Sequence, residues 1–158
     1  MNEARPRGRA AALVAYAVAM GWLEAVTVVY IRGLLGIGPG QPVPNAARMT
    51  ETFRTLPWLL PTEQGREAAT LLMLAAVAWL GGASLWGRVG ALLLMFGVWD
   101  LTYYIGLYAL VRWPPSLGTM DLLFLIPPAP WWYQPVWIPV SISLVLTATG
   151  LMIVRARR

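Results

Sequence analysis

The hydrophobic positions of this chain are gathered into four long stretches, residues 10–31, 68–87, 89–111 and 136–154. Charged residues bound them: Arg9 and Arg32, Glu67 and Arg88, Arg88 and Arg112, and finally Arg155. Each stretch holds about 19–23 residues, which at ~1.5 Å per residue matches the ~30 Å hydrocarbon core of a bilayer. The pattern predicts an all-α polytopic membrane bundle of four transmembrane helices, forming a single integral membrane domain over residues 1–158. The first stretch also resembles a signal peptide, with basic residues ahead of an apolar run. It continues to Tyr30, however, beyond the usual length of about 7–15 residues, and is expected to be an uncleaved transmembrane helix.

The segments joining the stretches are unequal. Arg88 alone separates the second from the third, which predicts a tight turn. Residues 33–65 are rich in Gly and Pro and become amphipathic through Met49, Phe53, Leu56, Trp58 and Leu59. Residues 113–135 read WPPSLGTMDLLFLIPPAPWWYQP, a short apolar run between prolines. About ten apolar residues cannot span, so an interfacial or re-entrant helix is expected there. Thr119 is its expected N-cap, Asp121 lies in the first turn, and Pro127 and Pro128 end it. Trp58, Trp113, Trp131, Trp132 and Trp137 are expected to form an aromatic belt at the headgroup level, in preference to a ligand-binding aromatic cage. Small residues at four-residue spacing, Ala11, Ala15 and Ala19, then Ala78 and Gly82, suggest close packing of helix backbones within the bundle.

Composition agrees with this picture and narrows the chemistry. Hydrophobic residues make up 58% and charged residues 12% of the 158, with a mean hydropathy of +0.61. Soluble domains carry roughly 25% charged residues. The chain has no Cys and no His, and its twelve basic residues are all Arg. Thiolate chemistry, imidazole bases, Ser-His-Asp triads, zinc in its usual forms and lysine Schiff bases are thereby excluded. A net charge of +5 and a pI near 10.2 would suit a nucleic-acid partner, but the arginines flank the apolar stretches. Arg5, Arg7 and Arg9 precede the first stretch, while Arg155, Arg157 and Arg158 follow the last. This is the signature of cytoplasmic flanks. Both termini and Arg88 are expected inside a bacterial-type inner (plasma) membrane, with no nucleic acid bound.

Two carboxylates lie within the spans. Glu24 sits eight residues before Arg32, ~12 Å below the outer end of its helix. Asp100 sits twelve residues before Arg112, near mid-membrane. Each costs about 2.5–3.5 kcal/mol on the insertion scale, so each requires a partner or a function. Tyr103 and Tyr104 share a helical face with Asp100, and Tyr108 follows two turns on. Tyr30, Arg32, Arg66, Glu67 and Asp121 fall nearer the outer surface. Together these residues predict an outward-facing polar pocket lidded by the proline-rich segments. The same acids could instead lock the helices by pairing with Arg32, Arg66 or tyrosine hydroxyls. That simpler role is favoured for Glu67 and Asp121, while Glu3, Glu51 and Glu63 read as solvated surface charges.

Carboxylates and phenols suit hard cations or protons, and rim arginines suit phosphate or carboxylate groups. No named catalytic motif is present and no cofactor is implied. A membrane-embedded glutamate, Glu24, in the first of four helices with Trp and Tyr nearby resembles the small multidrug resistance carriers. The long outer segments and the second acid, Asp100, depart from them. Three functions follow as expectations. The first is binding or transport of a small ligand, cation or proton. The second is an accessory subunit among other membrane subunits, or a homo-oligomer. The third is an intramembrane enzyme using the acids on a lipid or apolar metabolite.

Overall fold

The computed structural model describes residues 6–43, 54–127 and 129–156. Among the described residues there are four α-helices: α1 (Pro6–Leu34), α2 (Leu59–Gly81), α3 (Leu85–Val111) and α4 (Trp137–Ala156). Between α3 and α4 lie two short antiparallel strands, β1 (Met120–Leu122) and β2 (Tyr133–Pro135), with a 3-10 turn at Pro130–Trp132. Three helices, α1 from Gly8, α3 and α4, are long and apolar enough to cross a membrane. The fourth, α2, begins with the polar run Pro61–Thr62–Glu63–Gln64–Gly65–Arg66–Glu67 and is not among them.

The second predicted stretch is displaced in the structure. Its helix starts at Leu59, nine residues before Ala68, and stops at Gly81. Gly82 is extended, and the Ser84 side chain accepts the Gly87 N–H at 3.1 Å, so residues 85–87 belong to α3. The N-cap resets the helix direction, and Arg88 lies inside α3 rather than in the turn. At the other ends, Gly36 (φ 67°) closes α1 with Ile37 N–H bonded to Arg32 C=O at 2.8 Å. Only glycine adopts that backbone without strain.

Helix α3 is central and packs most extensively on α4 and α1. Glycines make this possible. A Cβ at Gly97 would overlap Thr147 and the Ser143 carbonyl, and one at Gly150 would overlap the Leu94 backbone. A Cβ at Gly21 or Gly106 would collide with Trp99 and Thr102 or with Ala25. These contacts make α1 and α3 parallel, with α4 running against them. The predicted stripe of Ala11, Ala15 and Ala19 is exposed instead, while Leu13 and Ala17 between them are buried. Alanine spacing alone does not say which face of an apolar helix meets protein. Ala78 is buried as expected, and Gly82 lies outside the helix.

Two apolar clusters stack along the bundle. One gathers Leu13, Ala17, Leu74, Ala78, Ala91, Leu94, Met95, Trp99 and Val154 toward the 82–84 turn. The other gathers Ala25, Tyr104, Leu107, Trp113 and Val136 toward the strands. The strands form a cap at this end of the bundle, the cap end.

The expected helix within 113–135 is not formed; a hairpin takes its place. Asp121 pairs with Gln134, Met120 with Pro135 and Leu122 with Tyr133. Seven residues between Thr119 and Pro127 allow fewer than two helical turns, which nucleate poorly. Pairing with 133–135 satisfies their backbone groups instead. Thr119 caps no helix, and its hydroxyl lies 3.3 Å from the Ser116 N–H. Met49 and Phe53 lie outside the described residues, as do Glu3, Arg5, Glu51, Pro128, Arg157 and Arg158.

The belt assignment also changes. Trp58, Trp131 and Trp137 are exposed at the cap end, but Trp113 is only 1% exposed and stacks on Tyr104. Trp132 is half-buried against Phe124, with ring centroids 5.1 Å apart. A second exposed pair, Trp79 and Trp86, flanks the turn at the opposite end.

Candidate functional site

Between the two apolar clusters lies a cavity of about 290 Å³. All four helices and the hairpin line it. α1 supplies Glu24, α2 supplies Arg66, Glu67 and Thr70, α3 supplies Phe96, Trp99, Asp100, Tyr103 and Tyr104, and α4 supplies Ile142 and Ser143. Asp121, Phe124 and Trp132 close it from the cap. A smaller cavity of about 110 Å³ adjoins it toward the cap end, lined by Arg32, Glu63 and Trp113 and sharing Arg66, Glu67, Tyr103 and Asp121.

The parallel packing of α1 on α3 brings Glu24 and Asp100 to the same cavity. The acids divide among several partners. Arg66 is gripped by two of them: its guanidinium bonds Glu24 and, at 2.7 Å, Glu63. Both Glu67 oxygens accept the Leu125 N–H, at 2.9 and 3.1 Å, and Gln64 donates to the Leu125 carbonyl at 3.1 Å. These bonds tether the cap to α2. Asp121 accepts the Tyr104 hydroxyl and the Leu122 N–H, each at 2.9 Å. Burial nevertheless pushes its carboxyl up to about 6, against the lowering effects of those two bonds and of Arg32. Asp100 accepts one hydrogen bond, from the Ser143 hydroxyl at 2.8 Å. No guanidinium lies within ion-pair distance of it among the described residues.

Arg32 is 5% exposed and forms no ion pair among the described residues. One of its terminal nitrogens donates to the Gln41 carbonyl at 2.5 Å, and its guanidinium carbon lies 5.1 Å from the centre of the Trp113 ring. The indole N–H of Trp99 is buried without an acceptor among the described residues.

Of the nine residues singled out from the sequence, Glu24, Arg66, Glu67, Asp100, Tyr103, Tyr104 and Asp121 line the larger cavity, and Arg32 lines the smaller. Tyr30 lines neither. It is 69% exposed, because α1 turns its Leu13–Ala17–Ala25 face inward. Tyr108 likewise faces out at 52%. Glu63 is not a solvated charge: it is 8% exposed and paired with Arg66. Sequence reasoning also missed Ser143, a hydroxyl isolated in an apolar helix, and the aromatic residues Phe96, Trp99 and Phe124 that join Trp132 in the cavity wall. A spacing of three from Glu63 to Arg66 was the available signal for the first pair. Nothing local marked the aromatic wall, whose members come from different segments.

No family model, curated protein or solved structure matches the chain.

Proposed function

We propose that this chain is a four-span membrane protein whose buried cavity binds a small ligand, cation or proton, reached from the outer face. The exterior supports immersion. Leu23, Leu72, Met73, Ile105, Leu144 and Val145 are exposed along the helices. Exposed tryptophans lie at both ends, with Trp86 and Tyr108 twenty-two residues, or ~33 Å, apart on α3. In this reading α2 is the fourth span, its polar residues turned inward. The arginines at both chain ends orient the termini to the cytoplasm, which makes the cap end external.

The observation that carries the function is Asp100. Among the described residues only one of its oxygens accepts a hydrogen bond, from the Ser143 hydroxyl, whereas Glu24 and Glu63 hold Arg66, Asp121 accepts two hydrogen bonds and both Glu67 oxygens are engaged. A buried acid used only to lock helices would be paired. The acids turn inward to a shared space, which favours this reading over an interface with partner subunits.

The test compares Asp100→Asn with the parent by thermal unfolding of the purified chain in detergent. Asn keeps the Ser143 contact and removes an uncompensated charge, so the variant is expected to be as stable or a few degrees more stable. A loss of about 5 °C or more would show that Asp100 serves to hold the bundle together, and would sink the binding reading.

A further inference from the structure

Resting on the reading of this cavity as a ligand site, we propose that its ligand is a small organic ammonium ion. Its charge would face Asp100 and Glu24, and its apolar body would face two aromatic pairs. Three features of the cavity lead there.

The first is charge. Glu24, Glu67, Asp100 and Asp121 line the larger cavity with Arg66 as its one guanidinium among the described residues. Arg66 is already shared between Glu24 and Glu63. A cation restores the balance, and an anion would worsen it.

The second is the wall. Phe96 and Trp99 pack edge to face at 5.3 Å between centroids, and Phe124 and Trp132 do so at 5.1 Å. The two pairs come from α3 and from the cap, and both line the cavity. Aromatic faces attract an alkylated ammonium, whose charge is spread over a greasy surface.

The third is size and ligand density. A bare metal ion needs six to eight oxygens at about 2.3–2.6 Å for Ca²⁺, or a tight octahedron for Mg²⁺. Among the described residues no three acids are grouped closely enough to hold one. A cavity of about 290 Å³ is close to the lower end of small-molecule sites, roughly 300–1,000 Å³. It suits a compact organic ion.

The experiment is calorimetric titration of the full chain in a non-ionic detergent. Phenyltrimethylammonium is the probe, benzyl alcohol is the neutral comparison, and Na⁺ and Ca²⁺ are competitors. Saturable binding of the ammonium is expected, with benzyl alcohol at least about tenfold weaker. Asp100→Asn and Trp132→Leu should each weaken the ammonium about tenfold or more, and the second variant leaves every acid in place. Equal binding of the neutral probe, with no effect of Asp100→Asn, would overturn the ammonium class while leaving the cavity as a ligand site. Displacement by Na⁺ or Ca²⁺ at micromolar concentration would assign the acids to a metal ion instead. Absence of saturable ammonium binding overturns the proposal, and the stability comparison of Asp100→Asn then decides separately whether the cavity is a site.

Discussion

Asp121 shows how one side chain can be buried at a cost and kept. Its carboxyl, 4% exposed, titrates at about 6 rather than 3.8. The folded state therefore binds its proton more tightly than the unfolded state does. The resulting stabilisation is complete below the unfolded value near 3.8 and is lost as the pH rises through about 6. A shift of this size corresponds to about 3 kcal/mol at most. The unfolding temperature in detergent should fall between pH 4 and pH 7 through this group, and Asp121→Asn should flatten that slope. An unchanged slope would place the titration elsewhere. At the same scale, the sequence identified Glu24 and Asp100 because a charge in an apolar run is conspicuous. It misjudged Tyr30 and Glu63 because exposure depends on which face of a helix is covered.

At the scale of elements, glycine rather than alanine sets the contacts. Gly97 and Gly150 sit where α3 and α4 touch backbone to backbone, and Gly65 on α2 faces open space. Gly97→Ala should therefore destabilise the bundle by about 1–3 kcal/mol through overpacking. Gly65→Ala should stabilise it by up to about 1 kcal/mol, the helix-propensity difference. Opposite changes in unfolding temperature are the check, and equal effects would contradict the packing described. The hairpin illustrates a different limit of local reading. Between Thr119 and Pro127 the residue types permit a helical turn. The alternative won through partners distant in sequence, since Glu67 and Gln64 hold Leu125 while Tyr133–Pro135 pairs with Met120–Leu122.

For the whole molecule the membrane reading predicts a topology. The chain has no cysteine, so single introduced cysteines report cleanly. Leu117→Cys, exposed in the cap, should react with an impermeant maleimide on intact cells. Ala83→Cys, exposed in the turn between α2 and α3, should react only after the membrane is opened. Reaction of both from outside would refute the four-span arrangement, and reversed reactivity would invert it.

Local chemistry in the sequence was sufficient for the helical class, for the apolar lengths of α1, α3 and α4, and to single out Glu24 and Asp100 as charges within apolar runs. Each follows from the residue's own transfer energy or from neighbours within one helical turn. The tertiary structure decided which faces meet, and therefore that Glu24 and Asp100 line one cavity, that Arg66 joins Glu24 to Glu63, and that four aromatic rings share its wall. Those relations join residues tens of positions apart on helices that are apolar on several sides. Close backbone packing at Gly21, Gly97, Gly106 and Gly150 helps select their orientation.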